Sequence, residues 1–138
     1  MNYDLNRFIS AHQSSYATAL KEIKAGYKRS HWMWYIFPQI AGLGHSAMAK
    51  KYEIVNLEEA KLYIDNDYLR NNLIEISQAL LDCGNGDIED IMGFPDNFKL
   101  CSCMTLFEQV APEIKVLSKV LEKFYNGERD KRTLELAK

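Results

Sequence analysis

The chain has little of what marks a membrane-bound, secreted or fibrous protein. Its longest apolar stretch, Trp32 to Pro38, falls far short of the roughly 20 residues that cross a bilayer. No basic segment followed by an apolar one opens the chain, so a secretory signal is not expected and a cytoplasmic location is. Cysteine is scarce: Cys83, Cys101 and Cys103 are an odd set that cannot all pair, which points to reduced thiols rather than a disulfide framework. The Cys101-Ser102-Cys103 spacing lacks the second pair of a zinc site. On a helix its two sulfurs point about 200° apart, so they read as packing residues and no metal site is expected. The seven glycines and three prolines gather into no linker, and nothing repeats, so residues 1–138 are expected to form one domain. An excess of basic charge is missing too. The 17 basic and 19 acidic side chains leave a net charge of −2, which argues against a general nucleic-acid binder.

What is present is an ordinary globular mixture, 47% hydrophobic and 26% charged, with one uneven feature. Trp32, Trp34, Tyr35 and Phe37 crowd into six positions. Elsewhere the apolar residues recur at helical spacing. Leu5, Phe8, Ile9 and His12 predict a short first helix, and Tyr16, Leu20 and Ile23 a second. Asn56 to Glu59 has the form of a capping box, with Asn56 as the cap and Glu59 reaching back. Leu69, Leu73, Ile76 and Leu80 stripe the next helix, which Gly84 ends. Pro95-Asp96 opens a helix along Leu100, Cys103, Met104, Phe107 and Val110, and Pro112 breaks it. Ile114, Leu117, Leu121 and Phe124 form another before Gly127, and Asp130 starts a last one over Lys131 to Ala137. The fold class is therefore all-α, a single compact domain of roughly six to eight helices. One irregular aromatic and glycine segment, residues 31–45, interrupts it.

That segment carries the chemistry. Pro38 turns the chain at Phe37 away from helix, leaving residues 31–37 as a short buried helix or one strand. Gly42 and Gly44 permit unusual torsions, and Ser46 can cap a helix from Ala47 to Tyr52. A glycine turn feeding a helix start exposes backbone N–H groups to an anion. The same turn also serves as a plain sharp bend, since it lacks the P-loop lysine and the last glycine of a dinucleotide fingerprint. An imidazole can serve as acid, base or hydrogen-bond donor, which makes His31 the candidate acid or base; its bland alternative is a ring that satisfies a backbone carbonyl. Trp32 and Trp34 offer a stacking platform or, equally, core volume. Lys28 and Arg29 read first as a solvated helix end.

A second pattern lies after Pro95. Lys99, Ser102, Thr105 and Gln109 share one helix face at about 100° per residue, opposite much of the apolar stripe. Two small hydroxyl residues there suit the lining of a polar pocket better than a bare solvent face. Asp96 can cap this helix or orient Lys99. The acidic residues of 82–96 lack the ligand spacing of a calcium loop and read as a solvated loop.

Ser30-His31-Trp32-Met33-Trp34-Tyr35-Ile36-Phe37-Pro38-Gln39, followed by Gly42-Leu43-Gly44-His45-Ser46-Ala47-Met48-Ala49, resembles a bacterial family of unknown function, the one numbered 1810. Lys99 to Phe107 is similar to that family's second motif, and Asp130-Lys131-Arg132-Thr133-Leu134 to its C-terminal signature. The resemblance implies a mainly helical domain and no established activity. Cys103 stands where the family usually carries serine, while Ser102 is kept.

Residues and resemblance together predict a pocket for a small phosphate-bearing or nucleotide-like ligand. Trp32 and Trp34 would stack on its ring, and Lys99 and the helix start after Gly42, Gly44 and Ser46 would take its anion. Arg29, Gln39, Thr105 and Asp130 join the lining. His31 is the candidate acid or base, with Ser102 as positioning donor or nucleophile. No particular reaction or cofactor is implied. The alternative is a non-enzymatic interaction module that anchors a protein partner on an exposed aromatic segment.

Overall fold

Local capping and apolar periodicity account for most of the elements found. The structure is a computed structural model that describes residues 2–138, and among them it holds nine helices and no strand. They are α1 (Asn6–Lys24), α2 (Met33–Ile36), α3 (Ala47–Tyr52), α4 (Leu57–Asp65), α5 (Asp67–Asp82), α6 (Ile88–Met92), α7 (Asp96–Val110), α8 (Lys115–Tyr125) and α9 (Lys131–Leu136). Five side-chain caps hold helix starts. Ser46 accepts from Ala49 N, Asn56 from Glu59 N, Asn66 from Leu69 N, Asp87 from Glu89 N and Asp90 N, and Asp130 from Thr133 N. The acidic loop thus works as the cap of α6. Gly84 and Gly127 both take positive φ just past α5 and α8.

Three expectations are corrected. The first two predicted helices are one, the 19-residue α1. Gln13, Ser14 and Ser15 resemble a break, but no proline or glycine interrupts the ladder there, and serines only weaken a helix. The helix count exceeds the expected range because α2 and α6, of four and five residues, are too short to show a period. The capping box is altered as well. Glu59 reaches the Val55 N–H at 2.8 Å instead of that of Asn56, and its carboxylate is buried against Arg7.

The core is built around α7. Leu100, Cys103, Met104, Leu106 and Phe107 are all buried, because α4, α6, α8 and α9 cover most of this helix and leave Phe98 and Gln109 exposed. A helix covered from several directions loses the one-sided patterning of a surface helix. On the other flank, α1 packs against α5 and α2. The chain turns at residues 41–43 between α2 and α3, and Ile40 before α3 meets Ile54 after it in an isolated parallel bridge closed by Ala41 N to Ile54 O and Ile54 N to Gln39 O, each 2.8 Å. The aromatic run is thus a short helix and not a strand. No helix among the described residues is long and apolar enough to cross a membrane.

Candidate functional site

A hydrogen-bonded clasp ties the last segment of the chain onto α7. Asp130 N donates to Thr105 Oγ1 at 3.0 Å, which consumes the hydroxyl of a fully buried threonine. Asp130 Oδ2 accepts from Thr133 N at 3.0 Å and from Thr133 Oγ1 at 2.5 Å. Ser102 Oγ lies 3.2 Å from that same oxygen and 3.3 Å from the Phe98 carbonyl, so its one proton has two competing acceptors. Arg129 pins the preceding turn, donating through Nε and Nη2 to Glu108 at 2.9 and 2.5 Å and through Nη1 to the Gly127 carbonyl.

The clasp leaves a groove of about 790 Å³ between the first turns of α7 and residues 125–132. Pro95, Phe98 and Tyr125 supply apolar wall, and Gln39 and Leu43 close it from the loop after α2. Lys99, Lys131 and Arg132 bring positive charge. Asp96 orients Lys99 at 3.6 Å, but its other oxygen is taken by Lys28 at 2.9 Å. Lys28 is therefore not a solvated helix end; it is folded under the start of α7. Phe98 is 59% exposed and meets Phe94, 72% exposed, edge to face at 5.8 Å. Cys101 lines the groove as well, and burial together with the Asp130 charge pushes its thiol up to about 11. At neutral pH it stays protonated and weakly nucleophilic. The lining holds no imidazole to take the Ser102 proton. This arrangement can bind and orient an anion.

A family model described as a protein of unknown function, DUF1810, matches residues 2–137. The chain belongs to that family. The DUF1810 fold is also seen in the crystal structure of the conserved hypothetical protein Rv1873 from Mycobacterium tuberculosis. That chain is 41% identical, with a TM-score of 0.95 over 98% of the present chain and 96% of the other. No curated protein matches the chain.

Of the residues singled out in this DUF1810 sequence, the structure brings Gln39, Lys99, Ser102 and Asp130 together in the groove, with Thr105 directly behind them. The aromatic segment goes elsewhere. Trp32 is 1% exposed, and its Nε1 donates to Glu22 at 2.9 Å. Glu22 also accepts from Arg29 N, Ser30 N and Ser30 Oγ. Burial alone would raise this carboxyl, but those four donors overcome it and hold it down at about 2. Trp32 is therefore core, offering neither a stacking platform nor an exposed anchor for a partner. Arg29 lies outside the groove with its guanidinium over the Tyr27 ring, 5.5 Å from the centroid. His31 is exposed and lines neither this groove nor the three smaller ones, and its ring makes no hydrogen bond among the described residues.

The glycine turn packs rather than cradles. Trp34 and Gly44 border a crevice of only about 10 Å³. A side chain at Gly44 would meet Ala49 Cβ at 2.5 Å, and one at Gly42, where φ is +103°, would meet Leu136 at 3.3 Å. Ser46 spends its hydroxyl on capping α3. Groove residues that were not singled out include Phe98, Tyr125, Asn126, Glu128, Arg129, Lys131 and Arg132. Lys131 and Arg132 stand in the C-terminal signature beside Asp130. Phe98 carried a signal of its own, being an aromatic off the register of the Leu100–Phe107 stripe at a helix start.

Proposed function

We propose that this DUF1810 protein binds a small phosphate-bearing, nucleotide-like ligand in the groove between α7 and residues 125–132. The observation that carries the reading is a surplus of positive charge beside an exposed ring, Lys99, Arg129, Lys131 and Arg132 against Glu128 and Asp130, in a chain of net charge −2. Lys28 already neutralises Asp96, so the Lys99 charge is left over. Lys131 has no acidic partner within 4.0 Å among the described residues, and Arg132 reaches Glu135 only at 3.7 Å with both side chains mostly exposed. A phosphate placed among these three cations gains charge-assisted hydrogen bonds, and the face of Phe98 covers a flat ring. The volume falls within the roughly 300–1,000 Å³ usual for small-molecule sites. The ligand's anion sits with Lys99, Lys131 and Arg132, and the ring stacks on Phe98, not on the tryptophans.

The test is a thermal-shift titration at low salt with inorganic phosphate, pyrophosphate, sugar phosphates and nucleoside phosphates. A ligand at ten times its dissociation constant stabilises by about 1.4 kcal/mol, a shift of a few degrees. The K99A/R132A double variant is expected to abolish the shift and F98A to reduce it. H31A and R29A, outside the groove, are expected to leave it unchanged. No shift with any phosphate compound, or loss of the shift in H31A but not in K99A/R132A, overturns the reading.

A further inference from the structure

Asp130 is an odd member of a site for anions. Its carboxylate receives every one of its hydrogen bonds on Oδ2: Ser102 Oγ, Thr133 N and Thr133 Oγ1. Oδ1 has no partner among the described residues. Each carboxylate oxygen accepts about two hydrogen bonds, so half of this group's capacity is open on a residue that lines the groove. The carboxylate is also fixed in place, because Asp130 N is held by the buried Thr105 and Oδ2 by Thr133. Gln39 adds a second unspent group to the same lining, since its side-chain amide makes no hydrogen bond with the protein among the described residues.

An open carboxylate oxygen asks for a donor on the ligand. Two donors are chemically plausible, an ammonium and a hydroxyl. An ammonium would share the lining with Lys99, Lys131 and Arg132, with like-charge repulsion from each against one further carboxylate, Glu128. A hydroxyl is neutral and escapes that repulsion, and its bond to an ionised acceptor is of the stronger, charge-assisted kind. A ribonucleotide carries a phosphate, a flat ring and neutral hydroxyls between them.

We infer that the open oxygen of Asp130 accepts a ribose hydroxyl, so that the groove selects ribonucleotides over their deoxy counterparts. This rests on the phosphate-binding reading above and narrows it. A site with an acceptor committed to a ligand hydroxyl discriminates against the analogue that lacks it, because the carboxylate oxygen is then desolvated without a partner.

The experiment measures dissociation constants by calorimetry on the full chain for the four ribonucleoside 5′-monophosphates. For the tightest of them the 2′-deoxy and 3′-deoxy analogues are then compared. At least one deoxy analogue is expected to bind about tenfold more weakly or worse. D130N is the companion variant. Asparagine caps a helix as well as aspartate, and its amide oxygen can take the Thr133 and Ser102 bonds. Its –NH₂ then faces the ligand hydroxyl, which can only accept from it, so a charge-assisted bond becomes a neutral one and the ribose-to-deoxyribose ratio is expected to fall severalfold. Equal binding of all three sugars by the natural protein overturns the inference while leaving the phosphate site standing. An unchanged ratio in a folded D130N overturns the assignment to Asp130. Binding of inorganic phosphate or sugar phosphates but of no nucleotide overturns the ribonucleotide class. Absence of binding by every phosphate compound overturns both readings. The comparison of sugars needs no variant, so a D130N that fails to fold leaves the test intact.

Discussion

Acidification should destabilise this protein through one buried imidazole. His12, on α1, is 1% exposed. Its Nε2 lies 2.8 Å from the Tyr35 carbonyl and donates to it, which leaves Nδ1 as the acceptor for Asn72 Nδ2 at 3.0 Å. That is the pattern of a neutral ring, and protonation would set Nδ1–H against an amide N–H. Around it stand Tyr16, stacked at 5.9 Å, Tyr63 and Tyr68, with Glu75 held by the Tyr16 hydroxyl at 2.6 Å. Burial pushes the imidazole down from 6.5 to about 4, against a smaller upward pull from the Tyr35 carbonyl. Because the folded pKa is the lower one, the unfolded chain binds the proton first. Stability is whole above pH 6.5 and is lost as pH falls toward 4. Linkage between those two values gives a loss of about 1 kcal/mol at pH 5.5 and about 2 kcal/mol at pH 4.5, relative to pH 7. The assay is urea denaturation at the three pH values on the natural protein and on H12Q. Glutamine offers the same donor and acceptor without titrating, at a cost of about 1 kcal/mol from poorer geometry. The two stability curves should therefore cross near pH 5.5, natural protein above and H12Q below. Parallel curves, with the same loss in H12Q as in the natural protein, would refute the assignment to His12.

Other perturbations probe the framework. R7A removes the guanidinium that meets Glu59 at 2.9 Å, leaving a carboxylate that is 1% exposed without its counter-charge. Unfolding free energy should fall by about 3–5 kcal/mol, and R7A/E59Q should recover part of it; a loss under about 1 kcal/mol contradicts the burial argument. E22Q weakens the hub under Trp32 and should cost about 1–3 kcal/mol, read as an earlier tryptophan-fluorescence transition in urea. The folded Glu22 carboxyl sits below its ordinary 4.5, so its contribution is whole above 4.5 and lost as pH falls toward 2. E22Q should therefore be less acid-sensitive than the natural protein in that window. G44A drives a methyl into Ala49 and should lower the melting temperature by several degrees, whereas G86A, with open space around its Cβ, should leave it unchanged or slightly raised. Equal effects of the two substitutions would contradict the packing role given to Gly44.

What could be read from the sequence was local. A cap and the N–H it satisfies lie within three residues of each other, so Ser46, Asn56 and Asp130 sit in their roles through short-range geometry alone. The same holds for the stripe of α5 and for glycines at helix ends. The family resemblance likewise drew on contiguous strings. The all-helical class followed from these pieces, as did a candidate face on α7 containing Lys99 and Ser102. Tertiary structure decided everything that depended on which distant group a side chain meets. Trp32 became core because Glu22, ten residues earlier on α1, takes its indole N–H. His31, its neighbour, points to no partner and stays outside. Thr105 was buried, and Ser102 turned toward Asp130, because a segment 25–28 residues further on folds back over α7. A binary apolar pattern cannot report such pairings, since a hydroxyl left free in a groove and one that clasps a distant aspartate are the same letter. The site was thus half legible. The sequence named residue types able to hold a phosphate, and long-range hydrogen bonds chose which of them share a groove.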